Sequence, residues 1–226
     1  MRASELPVVM RRVTLLPGEG LPEEGFDPIV TFTIGHGTPS TELEVNGPIA
    51  SVAERTGGSW LASDSMLLRG FELADLDVVH AINDGEVPAV GAEPPEVLAH
   101  IADQSAVALV AEIDGDVAGF CFVLPPGADY GSQNYAWFSE RYDDFVYLDR
   151  VAIPPRFQRR GIGRALYSEV EALVAERRPT ATEFTLEVNV RPRNERSLAF
   201  HAELGFVEVG QRETDYGARV SMMATP

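Results

Sequence analysis

The sequence predicts an α/β domain of the α+β type, a mixed sheet whose strands are interleaved with helices. Three observations carry that prediction. Short apolar runs, Ala106 to Ile113, Val117 to Leu124 and Phe145 to Ile153, alternate with segments of helical spacing. Two of these runs flank Asp114-Gly115-Asp116, a pairing that supplies the positive φ angles of a tight hairpin turn. The third run leads through a glycine- and arginine-rich stretch, Arg156 to Arg164, into an amphipathic helix.

Taken in order, residues 1–65 are rich in Gly, Pro, Glu and Thr, and only Pro28 to Ile34 and the neighbourhood of Leu43 have strand character. This part is expected to be an extension, either disordered in part, folded as a small hairpin against the main domain, or translated from an over-long start, ahead of a main domain over 66–226. Leu67 to Arg69 reads as a short strand. Leu73 to Asn83 reads as a helix with Leu76, Val79 and Ile82 on one face, and Pro94 to Gln104 as a second helix. After the hairpin comes an aromatic-rich loop, Pro125 to Asp144, and then the strand Phe145 to Ile153. A helix to Arg178 carries Leu166, Val170, Leu173 and Val174 at helical spacing and precedes a strand over Glu183 to Val188. Asn194 caps a last helix, Gly205 ends it in a left-handed conformation, and Phe206 opens another strand.

The stretch from Arg156 to Arg164 holds four arginines and two glycines in a chain whose formal net charge is −17. Glycine lets a backbone approach a ligand closely, and the first N–H groups of a helix, at the positive end of its dipole, suit a phosphate. Two common phosphate loops do not match. Leu166 stands where a dinucleotide fingerprint needs its third glycine, and the chain has no lysine for a P-loop.

All 18 basic residues are arginine, against 35 acidic ones, which argues against a nucleic-acid or anionic-membrane partner, since either needs a broad basic face. A single cysteine, Cys121, cannot form an internal disulfide and reads as a core strand residue of a cytoplasmic protein. No apolar stretch is long enough to span a bilayer.

The motif Gln158-x-x-Gly161-x-Gly163 behind an apolar strand resembles the pyrophosphate loop of the GNAT superfamily of acetyl-CoA-dependent N-acetyltransferases. A second run, Asn194 to Phe206 with its Leu-Gly-Phe ending, is similar to another hallmark of that family, and the element order over Leu67 to Met223 looks like the GNAT fold. The runs Asn134 to Phe138, Tyr147 to Arg150 and Glu187 to Asn189 resemble an uncharacterised subgroup of predicted GNAT enzymes. The resemblance implies acetyl transfer to an amine by direct attack, with acetyl-CoA as co-substrate and no metal.

It also implies roles. Main-chain groups of Val151, Ala152 and Ile153 would bind the pantetheine arm. Arg159, Arg160, Gly161, Ile162, Gly163 and Arg164 would hold the diphosphate, with Asn194 contacting the cofactor as well. His201 stands where many members place a tyrosine that protonates the leaving thiolate. Asp149 and Glu187 are candidates for the base. Tyr130, Asn134, Tyr135, Trp137 and Phe138 are candidates for acceptor binding, because loops on a rigid sheet shape pockets and aromatic faces suit a cationic amine. The acceptor is expected to be a small-molecule or amino-acid-like amine. Alternatives are a protein or peptide amine, or a non-catalytic acyl-CoA sensor, and a homodimer is compatible with the sequence.

Overall fold

The computed structural model describes residues 66–225 in full and, before them, the backbone of three short strands at 9–11, 30–34 and 41–45. The rest of the expected extension lies outside the described residues. Ten strands are described: β1 (Val9–Arg11), β2 (Val30–Ile34), β3 (Thr41–Val45), β4 (Met66–Gly70), β5 (Val107–Ile113), β6 (Asp116–Leu124), β7 (Phe145–Ala152), β8 (Glu183–Arg191), β9 (Val207–Glu213) and β10 (Arg219–Ala224). Five α-helices accompany them: α1 (Leu76–Gly85), α2 (Pro95–Gln104), α3 (Gln133–Ser139), α4 (Ile162–Arg177) and α5 (Glu195–Glu203). β2 and β3 pair antiparallel as a separate ribbon. The main sheet has the order β1-β4-β5-β6-β7-β8-β10-β9, parallel only at β1/β4 and β7/β8.

The hairpin between β5 and β6 turns through Asp114 and Gly115, with φ of 53° and 85°, as the Asp-Gly pair requires. Strand periodicity then divides the core between two faces. On β5, Val107, Leu109, Ala111 and Ile113 pack with α4 residues Leu166, Tyr167 and Val170, while Val110 faces the side holding Val79 of α1 and Leu98 and Ile101 of α2. Cys121 belongs to the first face, is fully buried, and its thiol is pushed up to about 12 by burial. It is an inert core residue.

Two elements depart from the reading of the sequence. The stretch read as a loop from Pro125 to Asp144 contains α3, whose N-cap Ser132 accepts hydrogen bonds from the amides of Asn134 and Tyr135. Seven residues are too few to display a helical repeat, and the crowding of Tyr135, Trp137 and Phe138 masks the one present. The strand expected from Phe206 is followed by a second one, β10, which the sequence pattern does not separate from β9. The two are joined by a turn in which Gly217 takes φ of 81°, with Thr214 N–H donating to Ala218 O.

Candidate active site

The two parallel central strands stay together for three residue pairs only, Phe145 with Glu183, Val146 with Phe184, and Tyr147 with Thr185. Beyond Tyr147 β7 keeps its partner β6, and β8 keeps β10. The edges they turn to each other, from Leu148 onward and from Leu186 onward, therefore carry backbone groups without a strand partner among the described residues. A split sheet of this kind offers an edge to which an extended ligand can add. The β6/β7 register also slips between Phe122 and Val123, leaving Asp149 opposite no residue of β6. Bulges re-aim side chains next to functional sites, and this one sets Asp149 at the split.

The anion loop closes one end of the split. Gly161 is the N-cap of α4, with φ of 82°, a conformation costly for any residue with a Cβ. Arg159, at φ of 63°, is one of two non-glycine residues with positive φ among the described residues. The amides of Ile162, Gly163 and Arg164 form the first turn, out of reach of any i−4 carbonyl within the helix, and Ala165 N–H donates to Gly161 O as the first helical bond. Two more glycines bring this turn close to the strand. A Cβ on Gly119 would lie 3.0 Å from Ala152 O and from Ile153 Cγ1, and one on Gly163 would lie 3.0 Å from Phe200 Cζ. Gly163 therefore makes room for the Phe200 ring of α5, in addition to its place beside the anion site. Gln158 Nε2 donates to Ile153 O at 2.8 Å, tying the loop to the end of β7.

Three clefts meet at the split. One, of about 550 Å³, runs over the anion loop and is lined by Arg159, Gly161, Ile162, Gly163, Arg164, Val151, Ala152, Ile153 and Asn194. A central cleft of about 450 Å³ lies between β7 and β8. The third, of about 630 Å³, opens between α3, α2 and the β9/β10 turn. Asp149, Arg150 and Glu187 belong to the wall shared by the central and third clefts, and Tyr216, on the β9/β10 turn, reaches both.

The two carboxylates on that wall are held differently. Asp149 accepts hydrogen bonds from Tyr130 Oη and from Arg150 Nε. Arg150 is itself buried and donates to Asn83 Oδ1 at 3.1 Å, so Asp149 is locked in an ion pair. Glu187 has only neutral donors: Asn134 Nδ2 at 2.8 Å on Oε1 and Tyr147 Oη at 2.7 Å on Oε2. Burial raises its carboxyl to about 7, against the two hydrogen bonds that favour the ionised form and with Asp149 adding to the rise. A carboxyl titrating near neutral pH in a cleft is matched to general-base work. The same surroundings push the hydroxyls of Tyr147 and Tyr130 up, by burial first and nearby carboxylates second, so both stay protonated donors.

His201 lines both the central cleft and the cleft over the anion loop. Its ring is buried, Nδ1 lies 2.7 Å from Ser197 O, and Nε2 lies 2.5 Å from Tyr167 Oη. A carbonyl can only accept, so Nδ1 carries the proton and Nε2 accepts from Tyr167. Burial lowers the pKa of the ring, which holds it neutral, with its one N–H already given to backbone. In that arrangement the histidine braces α5 against α4. Three of the five acceptor candidates line none of the three clefts. Tyr135 is buried and donates to Pro125 O at 2.7 Å, and Phe138 is fully buried against Tyr142, Phe145 and Tyr147. Trp137 lies between Arg141, 3.8 Å from its ring centroid, and Gly210, where an added Cβ would stand 2.7 Å from Cζ2. Tyr130 and Asn134 do line the third cleft. Asn194 caps α5 by accepting from Ser197 N–H at 3.1 Å and also borders the first two clefts, whereas Arg160 is absent from all three linings. Tyr147, Arg150, Arg212 and Tyr216 join the site without any signal in the sequence that gives them an individual role.

A sheet split beside an anion-ready helix end, with a titratable carboxyl between two clefts, defines a two-substrate group-transfer site. The chain belongs to the acetyltransferase (GNAT) family, which matches residues 76–206, more than half its length. No curated protein matches it. Among solved structures it is similar to Ard1 from Thermoplasma volcanium, with 18% identity, a TM-score of 0.58, and 70% of this chain and 95% of that one covered. It is also similar to Arabidopsis thaliana NAA60 in complex with acetyl-CoA, with 18% identity, a TM-score of 0.57, and coverage of 71% and 98%. A third is the ribosomal-protein-S18-alanine N-acetyltransferase from Escherichia coli, with 21% identity, a TM-score of 0.52, and coverage of 71% and 93%. At these identities the likeness is one of fold. No described helix is long and apolar enough to cross a membrane.

Proposed function

We propose that this acetyltransferase moves the acetyl group of acetyl-CoA to the primary amine of a small cationic acceptor by direct attack. The observation that carries the reading is Glu187, a carboxyl poised at about 7 on the wall between the split in the sheet and the third cleft. Acetyl-CoA supplies a thioester carbonyl open to a nucleophile. The residues fit it: first-turn amides of Ile162, Gly163 and Arg164 with the Arg159 and Arg164 guanidinium groups for the diphosphate, and the unpaired edge of β7 at Val151 to Ile153 for an extended arm.

In this reading the Val151 N–H faces the carbonyl oxygen and stabilises the negative charge that develops there. Glu187 removes a proton from the bound ammonium, the freed nitrogen attacks the thioester carbon, and the C–S bond breaks as the amide forms, the departing CoA thiolate taking the second proton that the nitrogen gives up. Tyr147 and Asn134 keep Glu187 aimed by donating to its two oxygens. Asp149 cannot take this role while it is paired with Arg150, but it adds to the negative potential that draws a cation inward. The third cleft supports a cationic acceptor, since Glu93, Asp129, Asp149, Glu187 and Asp215 outnumber Arg150 and Arg212 in its lining. Its volume of about 630 Å³ falls in the range of small-molecule sites.

The test is thiol release from acetyl-CoA over a panel of aliphatic diamines, amino-acid esters, anionic amino acids and short peptides. Turnover is expected with the cationic small amines above the anionic ones. Turnover confined to peptides would assign the acceptor to protein N-termini, and absence of both turnover and acetyl-CoA binding would overturn the reading.

A further inference from the structure

We infer that Arg212, on β9, is a positioning residue for the reaction, acting through the side-chain amide of Asn134 on Glu187. The inference rests on Glu187 as the base. Arg212 Nη1 donates to Asn134 Oδ1 at 2.5 Å and Nη2 to Gln133 Oε1, while Gln133 Nε2 donates to Asp215 Oδ2 at 2.5 Å. The other end of the Asn134 amide, Nδ2, donates to Glu187 Oε1 at 2.8 Å. Asn134 is buried and the Arg212 side chain is only 17% exposed, so water does not freely replace these contacts.

The logic is one of donors and acceptors. An asparagine amide has one end that accepts and one that donates, and a guanidinium can only donate. Arg212 therefore fixes the Asn134 oxygen toward itself and, in doing so, fixes the NH2 group toward Glu187. Without the guanidinium the amide is free to turn over. Its oxygen would then face a carboxylate, an arrangement that favours the protonated, non-basic form of Glu187. The remaining groups around Glu187 are unaltered by that change: Tyr147 and Asp149 on β7, Tyr130 on the preceding loop, and Arg150 beside Asp149. On β10 its register partner is Met222, which does not titrate. The two members of the Arg212–Asn134 pair stand 78 positions apart in the sequence, so no local pattern advertises it.

The experiment follows the Glu187 carboxyl directly, by carbon-detected NMR of the full chain with Glu187→Gln as the blank, alongside the pH dependence of kcat/KM. Arg212→Gln is expected to raise the Glu187 titration by about one pH unit and to cut kcat/KM below pH 7 about tenfold, with a smaller loss at high pH. In an Asn134→Ala background, the same substitution is expected to add no further shift, and Arg212→Lys, which keeps one donor for Asn134, to restore most of the wild-type titration. An unchanged titration in Arg212→Gln, or an equal shift with and without Asn134, would overturn the inference. Should Glu187→Gln keep full activity, the base assignment falls and with it the part of Arg212 in the reaction, whereas the carboxyl titration still reports separately whether Arg212 governs Glu187 through Asn134.

Discussion

Replacing Glu187 with glutamine sets activity against stability in a way that few substitutions do. Glutamine has the same shape, and its amide can accept from Asn134 Nδ2 and donate to Tyr147 Oη, so both buried neighbours keep a partner. A carboxyl held at about 7 instead of 4.5 is, when ionised, less stable in the fold than in the unfolded chain. At about 1.4 kcal/mol per pH unit the ceiling is about 3 kcal/mol, and contact with the open clefts reduces it to about 2 kcal/mol. The sign is fixed by the direction of the rise. Below pH 4.5 the carboxyl is protonated in both states and contributes nothing. Between 4.5 and 7 the unfolded chain releases its proton first, so the wild type loses stability as pH rises, and above 7 the loss is complete. Glu187→Gln should therefore melt about 4–8 °C higher than the wild type at pH 8 and alike at pH 4.5, by scanning calorimetry. Over the same range its kcat/KM, from thiol release, should fall by about 10² to 10⁴ and lose the inflection near 7. A variant no more stable at pH 8, or one that keeps the inflection, would refute the assignment of a raised, catalytic carboxyl.

Other substitutions probe the remaining parts. Tyr147→Phe removes one of the two donors to Glu187, so the acid limb of kcat/KM should move to higher pH while acetyl-CoA affinity by calorimetry holds. Gly161→Ala forces a Cβ into φ of 82°, which should cost about 1–2 kcal/mol in thermal melts and weaken acetyl-CoA binding, because the strain sits at the first-turn amides. His201→Ala leaves Tyr167 Oη and Ser197 O without their partner, so stability should drop by about 2 kcal/mol or more. Turnover per folded molecule should stay within about tenfold of wild type, and a loss of the size expected for a general acid would restore His201 to the chemistry. Phe138→Ala should destabilise by about 3–5 kcal/mol in denaturant unfolding with KM for the amine unchanged, since the ring touches only core.

Much of this site is legible in the amino-acid sequence, for reasons that differ from residue to residue. The hairpin at Asp114-Gly115, the N-cap at Asn194 and the left-handed Gly205 are local devices, each specified within a few residues, and each stands where the sequence puts it. Asp149 and Glu187 are visible as carboxylates on neighbouring strands. What ranks them is not: the ion pair of Asp149 with Arg150, and the neutral donors around Glu187, come from residues 1 to 53 positions away. A histidine on a helix shows its chemistry but not its neighbours: at His201 the Ser197 carbonyl one turn earlier sets the tautomer, and Tyr167, 34 residues earlier, occupies Nε2. The aromatic run at Tyr135 to Phe138 misleads for a related reason. On a seven-residue helix, consecutive side chains cannot share one face, and burial claims the rings that a loop would leave for ligand.

The measurement closest to the centre of this account is a crystal structure with acetyl-CoA and the pH profile of the same preparation. The diphosphate oxygens are expected within hydrogen-bond reach of the Ile162, Gly163 and Arg164 amides, with the acetyl carbon between Val151 and Glu187. A coenzyme bound elsewhere, or one whose acetyl group lies on the far side of β7 from Glu187, would contradict it.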